Sequence, residues 1–129
     1  MSIRIVRLGT PRVPGEGLRI GTVRRPPRGV PKTEFARRDW YDVWFPLLAP
    51  DPETLKLGRA VGTAAQWRQF RDRYRAAMRR PEAAHALALL AALSHRTDFS
   101  VGCYCEREDR CHRALLRELL RERGAALAD

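Results

Sequence analysis

Short apolar or alternating stretches of the chain predict three β-strands. Residues 3–8 and 18–23 are rich in β-branched residues, and a turn rich in glycine and proline separates them. Residues 98–103 form a nearly continuous apolar run, which is typical of a strand that a parallel sheet buries on both faces. Paired prolines in residues 24–29 exclude a helix and a central strand, so the second strand ends in a loop that carries three arginines.

Helical periodicity predicts four helices in the rest of the chain. Thr63 and Gln66 have the spacing of a capping box, and Asp51 stands where a helix cap belongs, directly before Pro52. Apolar residues then recur at helical intervals. The predicted helices are residues 52–57, 63–79, 81–94 and a last helix from Asp109 or Arg110 to Gly124, with Gly58 and Gly62 bracketing a loop.

The order of these elements predicts an α/β fold. We expect a single small domain over residues 1–129, with a mainly parallel sheet flanked by helices in two or three layers and a short mobile C-terminal tail. No segment approaches the roughly 18 consecutive apolar residues of a membrane span, and the amino end lacks the apolar core of a secretory signal. We therefore expect a cytoplasmic protein with no membrane partner.

The charge of the chain favours an anionic partner. The formal net charge is +10, and 23 of the 25 basic residues are arginine, whose guanidinium group can grip phosphate or carboxylate at two points. The alternative is a solvated basic surface. A stripe of arginines on the predicted helix 63–79 is likewise either a nucleic-acid-binding surface or a solvated helix face. If the stripe follows a phosphate backbone, the chain is a nucleic-acid-binding module. The stripe consists of Arg68, Arg71, Arg75 and Arg79.

All three cysteines lie between residues 101 and 113. An odd number of cysteines so close together does not form a secreted disulfide framework, so we expect reduced thiols. If residues 99–105 are extended, Cys103 and Cys105 project to the same side of the strand and can face one ligand.

The first turn of the last predicted helix follows these two thiols. With Asp109 as its cap, Cys111, His112 and Arg113 would lie beside free backbone amides and the positive end of the helix dipole. That environment binds anions and lowers the pKa of a thiol. It predicts Cys111 as a nucleophile or redox-active thiol, His112 as a group that orients the anion or moves a proton, and Arg113 as an anion ligand.

Three interpretations of this cluster stay open, namely an anion site, a zinc site, and small core residues with solvated charges. We predict no cofactor. The ligand types suit zinc, but the spacing lacks the usual paired Cys-x-x-Cys arms, and neighbours on a helix diverge in direction. If zinc binds, its ligands would be Cys103, Cys105, Cys111 and His112.

Several motifs resemble one bacterial family. They are Pro27-Arg28-Gly29 after a strand, Trp44-x5-Pro50, Trp67-x2-Phe70-x3-Tyr74, and Cys103-x-Cys105-Glu106 followed by Cys111-His112-Arg113. Over nearly its full length the chain resembles the YeaO-like branch of domain of unknown function 488. The resemblance implies a compact α/β fold, a bacterial cytoplasmic protein and no established activity. It supports a shared site made of Arg24, Arg28, Cys103, Cys111, His112 and Arg113.

One departure from that branch limits what can be carried over. Where the YeaO-like branch has Asp-Arg-x-Trp-Pro-Arg-Gly, this chain has V-R-R-P-P-R-G at residues 23–29, so a role for that aspartate does not transfer. Our leading hypothesis is that the Pro-Arg-Gly loop and the Cys-His-Arg helix start converge on one anionic small molecule of the phosphate or nucleotide type. Whether catalysis occurs, and in which oligomeric state, stays open. The predicted catalytic residues are Cys111 and His112, and the predicted ligand-binding residues are Arg24, Arg28, Cys103, Cys105, Glu106 and Arg113.

Overall fold

The computed structural model describes residues 1–128, and these contain one five-stranded sheet. The strand order is β3-β2-β4-β1-β5, and every pairing is parallel. The central strand is buried along its whole length, as its continuous apolar run predicts. The predicted α/β domain with a mainly parallel sheet is confirmed. The strands are β1 (Ile3–Arg7), β2 (Leu18–Gly21), β3 (Val43–Trp44), β4 (Phe99–Cys103) and β5 (Leu127–Ala128).

The four expected helices are present, and two of them begin at the predicted caps. The side chain of Asp51 accepts a 2.8 Å hydrogen bond from the backbone N–H of Thr54, and the capping box of Thr63 and Gln66 is formed. Gly58 lies inside the first helix, so the prediction that it begins a loop was wrong. The helices are α1 (Pro52–Arg59), α2 (Ala64–Met78), α3 (Pro81–Leu93) and α4 (His112–Glu122).

The helices pack on one face of the sheet around the larger of two apolar core clusters. Ile3, Ile20 and Val101 point into this core from β1, β2 and β4, where they meet apolar residues of α2, α3 and α4. Side chains alternate along a strand, so the intervening residues Arg19 and Ser100 point to the opposite face. That face is covered by loops rather than by helices.

A buried ion pair holds those loops in place. Arg19 is fully buried and donates from Nε to Glu16 across 2.7 Å, while Ser100 donates its hydroxyl to the same carboxylate across 2.7 Å. Arg19 also donates to the backbone carbonyls of Thr10 and Asp39, each across 2.8 Å. Burial alone would raise the pKa of Glu16, but hydrogen bonds from Arg19 and Ser100 lower it to about 2.

The predicted end of the strand at Cys103 is confirmed, but the extended stretch considered up to Cys105 and the predicted start of the last helix were wrong. β4 ends at Cys103, so Cys105 is not part of the strand. The last helix begins at His112 with Cys111 as its N-cap, because residues 108–110 form a separate 3-10 turn. Cys111 therefore lies just before the helix, with extended backbone angles (φ −131°, ψ 156°), and not in its first turn.

The end of the chain also differs from the prediction. We expected a mobile tail after the last helix, but Leu127–Ala128 pair with β1 as an edge strand, and Asp129 lies outside the described residues. The backbone N–H of Ile3 donates to the carbonyl oxygen of Ala126 across 2.8 Å, which fixes the segment beside the sheet. Within residues 1–128, no helix has the length and apolar character needed to cross a membrane.

Candidate functional site

A cleft of about 950 Å³ opens at the carboxyl edge of the sheet. It is lined by residues that follow β1, β2 and β4, together with parts of α1 and the start of α4. This is the edge at which open α/β sheets bind their ligands. The loop of residues 24–29 and the segment 103–112 both contribute to its walls, as the sequence predicted.

Arginine dominates the charge of this cleft. Arg24 and Arg28, two predicted ligand-binding residues, line it together with Arg25 of the same loop, and three further arginines come from separate segments. Among the described residues that line the cleft there is no aspartate or glutamate, so its lining carries a net positive charge. The lining arginines are Arg7, Arg24, Arg25, Arg28, Arg59 and Arg110.

Hydrogen bonds at two points hold the loop of residues 24–29, the arginine loop, at the cleft. Arg24 donates from Nε to the carbonyl oxygen of Pro50 across 3.0 Å and from Nη2 to that of Ala49 across 3.1 Å. The hydroxyl of Tyr104 donates to the carbonyl oxygen of Arg25 across 2.8 Å. The bond from Tyr104 to Arg25 joins the loop after β4 to the loop after β2. It therefore brings the arginine loop and the segment with the cysteines together. The guanidinium groups of Arg25 and Arg28 are left exposed at the cleft.

The floor of the cleft contains two thiols and an imidazole. Cys103 and Cys111 are each 2% exposed and His112 is 5% exposed, and all three line the cleft. One potential ligand atom from each lies within 4.8 Å of the others, so the group could hold a metal ion. Cys111 Sγ lies 3.6 Å from His112 Nδ1.

The protonation of His112 is set by the end of β2. Its Nε2 lies 2.8 Å from the carbonyl oxygen of Thr22, which can only accept a hydrogen bond, so Nε2 carries the proton. Burial lowers the pKa of His112 to about 4, although the bond to Thr22 opposes the shift. The ring is neutral at pH 7, and the lone pair of Nδ1 faces Cys111.

The three thiols differ in exposure and in acidity. Cys105 is exposed, and hydrogen bonds from Cys103 and Cys111 lower its pKa against the effect of burial. A hydrogen bond from Cys103 lowers the pKa of Cys111, but contact with Cys105 and burial outweigh it, so the pKa is raised. The low thiol pKa predicted for Cys111 was therefore wrong, because Cys111 is a buried cap residue and not an exposed residue of the first turn.

Arg113 and Glu106, two predicted ligand-binding residues, do not line the cleft. Arg113 is 4% exposed, and its Nη2 donates to the carbonyl oxygen of Cys105 across 2.6 Å. Its buried Nε has no hydrogen-bond partner within the described chain. Glu106 is exposed and lies 3.8 Å from Nη2 of Arg7. Arg113 thus supports the loop that carries Cys105, while Glu106 partly neutralises one arginine at the rim.

Sequence reasoning missed several residues of the cleft. Arg7 stands at the end of β1, and the rule that ligands bind beyond the carboxyl ends of strands could have identified it. Trp40 and Tyr104 form an edge-to-face pair with ring centres 5.8 Å apart on an apolar wall. Arg59 reaches the cleft through the packing of α1, for which the sequence carries no local signal, whereas Arg110 lies in the 3-10 turn directly before Cys111.

The arginine stripe of α2 is partly neutralised by acids. Arg75 lies 2.8 Å from Glu122 and 3.4 Å from Glu118, and Arg71 lies 3.3 Å from Asp72. These ion pairs reduce the positive charge that a phosphate backbone would meet. The geometry does not favour the stripe as a nucleic-acid-binding surface.

Comparison with family models identifies the relatives of this chain. Residues 3–124 match the model DUF488-N3a, which is described as the active DUF488-N3 subclade. The chain belongs to the DUF488-N3a family. The resemblance to domain of unknown function 488 is thereby confirmed, whereas its YeaO-like branch is not. Searches of curated proteins and of solved structures found no match for this DUF488-N3a chain.

Proposed function

We propose that this DUF488-N3a protein binds a small anion of the phosphate or nucleotide type in the arginine-lined cleft. The supporting observation is that six arginines from four segments of the chain surround one cleft without a lining acid among the described residues. Arginine presents paired donors that match phosphate oxygens. The volume of about 950 Å³ and the apolar wall at Trp40 and Tyr104 leave room for an organic part of the ligand.

The thiol beside the ligand is Cys105 in this proposal. Cys105 is exposed and lines the cleft, so an anion held by Arg25 and Arg28 would lie next to it. Cys111, which the sequence suggested as nucleophile, is 2% exposed and belongs with His112 to the floor of the site. If the protein is an enzyme, Cys105 is the cysteine that a substrate in the cleft would meet first.

Calorimetric titration with inorganic phosphate and with adenosine monophosphate tests this function. The variant R25A/R28A removes two exposed cleft arginines, and the control R38A/R96A removes two exposed arginines that do not line the cleft. Each charged hydrogen bond contributes about 1.5–3 kcal/mol, so the cleft variant should weaken binding by about tenfold or more per arginine. Equal effects of the two variants would indicate unspecific attraction by net charge and would contradict the proposal.

Zinc binding is the second candidate, and the convergence of Cys103, Cys111 and His112 favours it. Two thiolates and an imidazole are ligands that zinc prefers in proteins. Here the metal would stabilise the floor of the cleft as a structural ion. Metal analysis of protein purified from zinc-supplemented cells tests it, and a zinc content far below one ion per chain would exclude it.

A further inference from the structure

One distance at the floor of the cleft matches an edge of a tetrahedral zinc site. Zinc binds thiolate sulfur at about 2.3 Å and imidazole nitrogen at about 2.0–2.1 Å, which makes a sulfur–nitrogen edge of about 3.6 Å in a tetrahedron. The observed distance from Cys111 Sγ to His112 Nδ1 is 3.6 Å. Cys103 completes a group in which all three ligand atoms lie within 4.8 Å of one another.

The backbone explains how two adjacent residues can face the same ion. Neighbours inside a helix diverge in direction, but Cys111 is an N-cap with extended angles and His112 is the first residue of α4. The change from extended to helical backbone between them brings the sulfur and the ring together. The objection that the sequence raised against adjacent Cys and His ligands therefore does not apply here.

The imidazole of His112 is already oriented as a metal ligand. Its Nε2–H donates to the carbonyl oxygen of Thr22 across 2.8 Å, and its Nδ1 lone pair faces the thiol of Cys111. A histidine that binds a metal usually donates its other ring N–H to a carbonyl or carboxylate in this way. The bond holds the lone pair in place before any ion arrives.

The fourth position of such an ion would face the cleft. Cys103, Cys111 and His112 all line it. Among the described lining residues, Cys105 is the one other side chain of a type that zinc commonly binds; its thiol contacts Cys103 and Cys111, but it is not among the three residues whose ligand atoms all lie within 4.8 Å of one another. Two thiolates balance the charge of Zn²⁺, so the surrounding arginines would still attract an anion to this position.

We infer that Cys103, Cys111 and His112 hold a zinc ion whose fourth coordination position is open to the arginine-lined cleft, where an oxygen of the bound anion coordinates it. This inference rests on the proposed anion-binding function. It differs from a structural zinc site because one coordination position of the ion is free to bind the anion. On binding, the thiols of Cys103 and Cys111 each lose a proton to solvent as their sulfur–zinc bonds form. The open position distinguishes the site from a structural one, in which the protein supplies all four ligands.

Cobalt(II) is the probe for this site, because it occupies zinc sites and its visible spectrum responds to its ligands. Metal-free full-length protein is titrated with cobalt(II), and adenosine monophosphate is then added to the cobalt-loaded protein. We expect one ion per chain, sulfur-to-cobalt absorption, and a saturable change of the visible bands on adding the nucleotide. The variant C105S should keep the stoichiometry and the spectrum, and R25A/R28A should bind cobalt normally but need at least tenfold more nucleotide.

Three results would overturn the inference. The folded wild-type protein binds no cobalt, or the nucleotide leaves the cobalt spectrum unchanged, or C105S loses one sulfur-to-cobalt band because Cys105 fills the fourth position. Calorimetry of the metal-free protein with adenosine monophosphate separates this failure from that of the proposed function. Binding without metal would leave the anion-binding cleft standing, whereas absence of nucleotide binding in both forms would contradict both proposals.

Discussion

His112 and Thr22 are joined by a 2.8 Å hydrogen bond from the imidazole Nε2 to the backbone carbonyl oxygen. Thr22 directly follows β2 and His112 is the first residue of α4, so the bond fixes the start of the helix at the carboxyl edge of the sheet. It also decides which ring nitrogen faces Cys111. One backbone group thereby sets the chemistry of the cleft floor.

Replacing His112 should cost stability through this bond. In His112→Ala the carbonyl of Thr22, a fully buried residue, loses its partner, and the free energy of unfolding should fall by about 1–3 kcal/mol. His112→Gln should recover part of the loss, because its amide can donate to the same oxygen. Urea denaturation measures both variants. An alanine variant as stable as the wild type would show that the bond contributes nothing.

The thiols should react with iodoacetamide in a fixed order. Cys105 is exposed and its pKa is lowered, so it should be alkylated first, at a rate that changes little between about pH 6 and about pH 8. Cys103 and Cys111 are buried and should react only when the protein opens. Peptide mapping by mass spectrometry identifies the modified residue. Faster labelling of Cys111 would restore it as the reactive thiol.

The ion pair of Glu16 and Arg19 should make stability depend on acid pH. The pKa of Glu16 is about 2 in the folded protein against an ordinary value of 4.5, so its contribution is complete above pH 4.5 and is lost as the pH falls toward 2. Glu16→Gln leaves Arg19 buried without its partner charge, which costs about 3–5 kcal/mol near neutral pH.

Thermal or urea unfolding across this range tests the pair. The stability difference between wild type and Glu16→Gln should shrink from pH 4.5 to pH 2. Glu53→Gln is the matched control, because Glu53 is 84% exposed in its ion pair with Arg73 and should change stability by less than about 1 kcal/mol. A difference that stays constant with pH would exclude the proposed linkage.

Two glycines in the loop before β2 form a matched pair for testing backbone packing. Gly15 and Gly17 have φ values of 77° and 78°, so alanine at either costs about 1–2 kcal/mol in backbone strain. A Cβ at Gly17 would lie 2.0 Å from the carbonyl oxygen of Asp98, whereas one at Gly15 meets nothing within 4 Å. Gly17→Ala should therefore lose about 1–3 kcal/mol more than Gly15→Ala in urea denaturation. Equal losses would mean that the loop shifts to relieve the contact.

Local signals in the sequence predicted most of the fold. The caps at Asp51 and Thr63 and the apolar run of β4 depend on neighbours a few residues away, and the structure confirms them. The two-residue strands Val43–Trp44 and Leu127–Ala128 were missed, because two residues cannot establish a period. Their pairing is decided by long-range packing against β2 and β1.

The sequence located the candidate site but not its internal geometry. The convergence of the arginine loop with residues 103–112 followed from the rule for carboxyl ends of parallel strands. The roles of Cys111 and Arg113 depended on where the last helix begins, and a difference of a few residues turned Cys111 into a buried cap. Element boundaries are the least certain part of any sequence-based prediction, so errors at the site itself are expected.

The location of a bound oxyanion tests the central claim most directly. Crystals of the protein soaked in tungstate, a heavy analogue of phosphate, would show bound anions in an anomalous difference map. We predict the strongest peak inside the cleft, in contact with Arg25, Arg28 or Arg110 and next to Cys105. Peaks confined to the surface, for example along Arg68 of α2 and Arg79 directly after it, with none in the cleft, would contradict the claim.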